Sequence, residues 1–197
     1  MIILIRHGQT TTNAMRLLVG RSDPELTEMG ERQALALRPL LDGVREVWSS
    51  PLRRARTTAA LALPGFVPVV KESFIEVDYG TLDGEPLSTV SPDQWRQFEH
   101  DHTLAFGGGE SLAALDRRVH AELDALLEDR GSLLHRHHEH LAIVSHMSPI
   151  KSAMVWALGV PGSVAYRMHL NNGSITTITM RQSSPALLHY NVVPTLD

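Results

Sequence analysis

Met1-Ile2-Ile3-Leu4-Ile5-Arg6-His7-Gly8-Gln9-Thr10 opens the chain with four consecutive apolar residues, three of them β-branched, before turning abruptly polar. A run without alternation predicts a strand buried on both faces, as in parallel sheets covered by helices. Arg6, His7 and Gly8 then fall at its C-terminal edge, where open α/β sheets hold their ligands. Residues 44–49 read as a second strand, and 141–145 repeat the buried run, which is followed by the polar His146. Between these runs the spacing predicts helices. One follows an N-cap at Thr27 and buries Ala34, Leu37, Leu40 and Leu41. Another spans 52–63 and stops at Pro64-Gly65. A third occupies 111–127, with Leu112, Leu115, Val119, Leu123 and Leu126 on one face. Ser148-Pro149 reads as the cap and first residue of a helix ending at Leu158. Strands are expected at 67–70 (peripheral, because of Pro68), 164–170, 174–180 and 187–192. Strands alternating with helices in this way make the fold α/β.

The 197 residues leave room for one well-buried core, so a single domain over 1–197 is expected. Residues 80–110 form an insertion or lid, with one short helix near Asp93 to Glu99 and the triplet Gly107-Gly108-Gly109. A net charge of −4 and a pI near 6.2 argue against nucleic acid as a partner, because no domain-wide basic field exists to draw a polyanion. Any anion site must be local. With Lys71 and Lys151 the only lysines, the basic residues are nearly all arginine, whose fork matches phosphate oxygens. A compositional bias of the source genome accounts for the arginines more readily than function does. The absence of cysteine excludes disulfides, thiol nucleophiles and thiolate metal sites. The apolar start is too short for a signal segment, and no run reaches the length of a membrane span. The expectation is a cytoplasmic protein with no membrane partner.

Three strand ends deliver chemistry to one presumed edge: Arg6-His7, Arg53-Arg54 and His146. A single His or Arg in such a place is usually a capping or surface residue. Repeated at three strand ends, the pattern makes a dense set of donors for a tetrahedral dianion. An imidazole with one nitrogen held by a hydrogen bond is also a competent nucleophile at neutral pH.

The ordered blocks resemble the histidine phosphatase superfamily, also called phosphoglycerate mutase-like. Arg6-His7-Gly8-Gln9-Thr10-Thr11-Thr12-Asn13 is similar to its opening motif, and residues 20–30, Gly20-Arg21-Ser22-Asp23-Pro24-Glu25-Leu26-Thr27-Glu28-Met29-Gly30, to the segment that follows. Ser49-Ser50-Pro51-Leu52-Arg53-Arg54-Ala55 resembles the second block, in which the Arg before Ala holds phosphate; this selects Arg54 over Arg53. Glu76-Val77-Asp78-Tyr79-Gly80 resembles the block carrying the acid/base carboxylate, Gly109-Glu110-Ser111 the start of the long helix, and Val144-Ser145-His146 the second catalytic histidine.

The resemblance implies a three-layer α/β/α sandwich around a mostly parallel sheet. It also implies a phosphomonoester hydrolase with His7 phosphorylated, Glu76 as acid and base, and Arg6, Arg54 and His146 stabilising charge. Implied phosphate and substrate contacts are Arg6, Thr10, Asn13, Gly20, Arg54 and Met147. The expected substrate is a small phosphorylated metabolite, with no metal and no cofactor, since arginine and imidazolium supply the positive charge. A homo-oligomer is left open. Met147 departs from the family's usual Gly; its N–H suffices for phosphate if no positive φ is needed there. Asp78, Asp83 and Glu85 compete with Glu76 for the acid role. The His-rich 135–140 segment reads as a solvated loop rather than a metal site. Two alternatives stand beside the hydrolase: a phosphoglycerate mutase, disfavoured by Asp78 where mutases carry basic residues, and a non-catalytic phosphate-binding module.

Overall fold

The computed structural model describes residues 1–134, 139–181 and 184–196. His135, Arg136, His137 and His138 of the His-rich segment lie outside the described residues.

The elements follow one another as β1 (Ile2–Arg6), α1 (Thr11–Ala14), α2 (Glu28–Ala36), β2 (Val44–Ser49), α3 (Arg53–Ala62), β3 (Val69–Val70), α4 (Pro92–His100), α5 (Leu112–Leu134), β4 (His140–Ser145), α6 (Met147–Leu158), β5 (Ile175–Arg181) and β6 (Ser184–Val192). The six strands form one sheet in the order β3-β2-β4-β1-β5-β6. The pairs β1–β4, β2–β4 and β2–β3 are parallel, while β5 runs antiparallel to both β1 and β6. The sheet is therefore mixed but mostly parallel, as expected.

Alternate residues of the central strands feed two different cores, which is why β1 and β4 are apolar throughout. Ile2 and Leu4 of β1, with Leu141 and Ile143 of β4, pack beneath α5 and α6. Ile3 and Ile5, with Ala142 and Val144, pack beneath Leu37 and the Ala55, Ala59 and Ala62 stripe of α3. Helices thus cover both faces, giving three layers.

Four local expectations need correction. Residues 164–170 are not a strand; Pro161 and Gly162 lead into a short 3-10 helix, Gly162–Arg167. Helix α6 begins at Met147 with His146 as its cap, two residues before the Ser148-Pro149 pair predicts. Pro149 is tolerated because a first-turn N–H has no intrahelical acceptor anyway. Leu40 leaves the core, 44% exposed, because α2 ends at Ala36 and Pro39 turns the chain into a 3-10 segment. Helix α5 runs on past residue 127 to Leu134.

Residues 80–110 carry α4 and short 3-10 turns rather than open loop. Trp95, Phe98 and Phe106 stack on one another, and Tyr79 meets Phe106 edge-on, which anchors the segment to the α5 side of the core. The glycine triplet has a packing reason. A Cβ on Gly107 would lie 2.4 Å from the Tyr79 carbonyl oxygen, and one on Gly80 would lie 2.2 Å from that of Gly107.

Candidate active site

The register of the sheet sets the site. Arg6 pairs with Ser145 across β1–β4, and Ser49 pairs with Val144 across β2–β4, so the three strands end level. His7 N donates to Ser145 O and Ser50 N to Val144 O, each at about one residue past its strand. The next residues, His7, Ser50 and His146, therefore leave the sheet side by side.

His7 is 3% exposed and His146 is fully buried, with ring centroids 5.0 Å apart. His7 Nδ1 lies 2.7 Å from Gly8 O. A carbonyl only accepts, so Nδ1 carries the hydrogen and Nε2 keeps its lone pair. His146 has the opposite tautomer. Arg54 Nε donates to its Nδ1 at 3.2 Å, which leaves Nε2–H to donate to Ser50 Oγ at 2.7 Å. Burial, followed by the charges of Arg54 and Arg6, holds the His7 imidazole well below its usual 6.5. Burial, Arg54, His7 and Arg6 do the same to His146. Both rings are neutral near pH 7.

Arg54, at 1% exposure, is the larger of the two neighbouring arginines' contributions to this edge. Its remaining donors reach Ser22 O at 2.6 Å and Gly20 O at 2.8 Å. Arg53 points outward to Glu25. Asp23 lies 3.6 Å from Arg54 and accepts from the N–H groups of Arg53 and Arg54, capping α3, whose own cap Leu52 offers no oxygen. Arg6 is anchored by a hydrogen bond to Leu170 O, while its Nε is buried with no partner. Burial pushes its guanidinium down to about 10, with Glu76 acting in the opposite direction.

Glu76 is 4% exposed, and its Oε1 accepts from Val77 N at 2.9 Å and Ser148 N at 3.3 Å, which ties it to the first turn of α6. Arg118 on α5 steadies the segment from behind: it grips Glu110 with two donors and reaches the carbonyl oxygens of Ser73 and Glu76. Of the competing carboxylates, Asp83 is committed elsewhere. Burial raises its carboxyl, but hydrogen bonds from Gly20 N, Ser22 N and Ser22 Oγ, with the charge of Arg54, outweigh that and hold it below the usual range. Asp78 accepts from Gly80 N and faces Arg21, and Glu85 is exposed.

Thr10 and Asn13 cap α1 reciprocally, and Asn13 Oδ1 also accepts from Asn172 Nδ2. Gly20 is held between Arg54 and Asp83, and a Cβ there would make a tight 3.0 Å contact with Val77 O. Met147 has an ordinary negative φ at the first position of α6, so its N–H points the way a glycine's would. Ser50, Asp23, Asn172 and Arg118 were missed in the sequence. Ser50 and Asp23 stood inside matched blocks; Asn172 and Arg118 carry no local signal, because they act from distant segments. No helix among the described residues is long and apolar enough to cross a membrane.

The profile of the histidine phosphatase superfamily (branch 1) matches residues 2–193. "Probable phosphoglycerate mutase GpmB" of Yersinia pestis is 33% identical over 191 residues, covering 92% of this chain and 86% of that protein. Phosphoserine phosphatase of Entamoeba histolytica superposes with a TM-score of 0.85 at 26% identity, over 98% of this chain and 96% of that one. The α-ribazole phosphatase of Shigella flexneri does so with a TM-score of 0.80 at 27% identity, over 97% and 96%. With strand ends that converge on paired histidines and a profile match from the second residue almost to the last, this chain belongs to the histidine phosphatase superfamily.

Proposed function

We propose that the chain is a phosphomonoester hydrolase that works through a phosphohistidine at His7. The observation that carries this is the His7 ring itself: neutral, buried, held through Nδ1 by Gly8 O, and so presenting the Nε2 lone pair amid Arg6, Arg54 and His146. Nε2 attacks phosphorus and the ester P–O bond breaks. Arg6, whose Nε has no protein partner, joins Arg54 and His146 in stabilising charge on the phosphoryl oxygens. Glu76 in its acid form gives its proton to the departing alkoxide. As carboxylate it then takes a proton from the water that cleaves the P–N bond, which returns His7 and releases phosphate. Met147 N–H and the paired Thr10 and Asn13 hold the rim of the phosphate site, and Gly20 lets Arg54 come close. The substrate is a small phosphorylated metabolite, and the chemistry uses no metal.

The solved relatives named as phosphatases, one of them crystallised with phosphoserine, support hydrolysis. The curated mutase relative favours a second reading, phosphoryl transfer between hydroxyls of phosphoglycerate. Against transfer stands Asp78, an acidic residue at the motif position where mutases carry basic ones.

The test is to react the protein with radiolabelled phenyl phosphate, quench it in base, and map the label. An acid-labile, base-stable phosphate on His7, absent from His7→Ala, is expected. Turnover by folded His7→Ala within about tenfold of the parent overturns the nucleophile. With 3-phosphoglycerate, release of free phosphate supports hydrolysis, and accumulation of 2-phosphoglycerate supports the mutase.

A further inference from the structure

A cavity of about 150 Å³ is lined by Met147 and Ser148, the two residues that follow His146. Leu18, Trp95, Phe106, Leu112 and Leu115 make one wall. The opposite wall is α6, where Met147, Ser148, Lys151 and Ser152 follow the helical repeat along one face. Ser148 belongs to both compartments, since its N–H holds Glu76. The carboxyl assigned to the leaving group is thus hydrogen-bonded to a residue of the cavity wall.

The polar equipment is uneven. Lys151 is half-buried, four residues beyond Met147, which is about 6 Å along the helix axis. No hydrogen bond or ion pair ties it to another described residue. Burial, then the charge of Arg6, lowers its ammonium, with Glu76 opposing, so it lies within electrostatic reach of the phosphate site. The Tyr166 hydroxyl and His102 Nε2 are shut off from solvent with no hydrogen-bond partner among the described residues, and their rings are 5.9 Å apart. Asp116 also lines the cavity, but its Oδ1 is taken by Ser152 Oγ at 2.6 Å. Buried donors without acceptors are costly. Here a half-buried ammonium and a buried hydroxyl and imidazole stand unpaired around a cavity whose other wall is mostly apolar and suits few of the hydroxyls of a sugar.

We propose that this cavity is the leaving-group subsite and that it selects a hydroxyl-poor alcohol with an apolar body and a terminal carboxylate, which Lys151 and Tyr166 receive. The assignment rests on the hydrolase reading for the word "leaving", but its recognition chemistry can be measured without turnover. The apolar body lies between Met147 and the Trp95–Phe106 wall, where a glycine in place of Met147 would leave a gap.

Calorimetric titration of the full chain with two non-hydrolysable probes, benzylphosphonate and 4-carboxybenzylphosphonate, tests it. The carboxylate probe should bind about 10- to 100-fold tighter, the range of a hydrogen-bonded charge pair. Lys151→Met should collapse the ratio to near one, and Lys151→Arg should retain most of it. Equal affinity for the two probes, or an unchanged ratio in Lys151→Met, overturns the subsite. Tighter binding of 4-(aminomethyl)benzylphosphonate also overturns it, since that would make Asp116 the recognising group. Turnover of benzyl phosphate keeps the two readings apart. A ratio near one in a chain that hydrolyses this ester removes the subsite alone. The expected ratio in a chain that hydrolyses neither this ester nor 4-carboxybenzyl phosphate supports carboxylate recognition and removes the hydrolase reading.

Discussion

Two imidazoles that are neutral when folded make acid a specific threat to this protein. In the unfolded chain His7 and His146 take up protons as pH falls through 6.5; in the folded chain burial and the neighbouring arginines hold both well below that value. Between those limits the unfolded state binds more protons, so stability drops as pH falls from 6.5 toward the folded values. A melting temperature followed from pH 7 to pH 5 should decline, and should decline less steeply in His7→Gln/His146→Gln. Asp83 acts in a separate, more acidic window below the usual carboxylate value of 3.8, because its folded carboxyl is lowered. Glu76 makes a different kind of prediction. Glu76→Gln should slow alkyl phosphates about 10²- to 10⁴-fold more than p-nitrophenyl phosphate, whose leaving group departs without a proton. Equal slowing in steady-state assays with both esters would mean that Glu76 only positions phosphate or water. At this scale the sequence was informative wherever a residue ended an apolar run, as His7 and His146 do. Glu76 lies in no regular element and was legible only through its motif. Lys151, His102 and Tyr166 come from three separate segments, and only folding brings them together.

Elements with a strong local signal were readable, and those that depend on a distant partner were not. β1 and β4 are continuous apolar runs, and Thr27 caps α2 as its sequence predicts. Residues 164–170 have strand composition, yet β6 holds the outer position on that side of the sheet, and the segment packs near α4 and α5 as a short helix instead. Helix α3 shows the same limit from the other direction. Its first-turn N–H groups are satisfied by Asp23, thirty residues upstream of Arg53. Removing that oxygen in Asp23→Ala should cost about 1 kcal/mol in chemical denaturation, the usual value of a lost helix cap. It also takes away the carboxylate beside Arg54, so phosphate affinity should change along with stability. A variant with parental stability would show that the cap contributes nothing.

The whole molecule is two cores joined by one sheet, and His7, the proposed nucleophile, sits on the seam. Ile143, fully buried at the centre of β4, serves the core beneath α5 and α6. Ile143→Ala should cost about 2–5 kcal/mol, read as a fall in melting temperature of roughly 10 °C for a chain of this size. A loss below about 1 kcal/mol would mean that the core closes around the gap. The loop behind His7 rests on the opposite layer with almost no clearance. A Cβ on Gly8 would stand 2.2 Å from Gly30 O, and one on Gly30 would stand 2.1 Å from Gln9 O. Two backbones touch there without side chains between them, so neither glycine can be exchanged while its partner stays in place. The residues that line the proposed leaving-group cavity hang instead from 80–110 and from α6, on the far side of the sheet. Inheritance is therefore free to rewrite what the enzyme eats while the hinge of its chemistry stays frozen, and a laboratory seeking a new diet for this scaffold should randomise Leu87, Trp95 and Lys151 and leave the glycine seam alone.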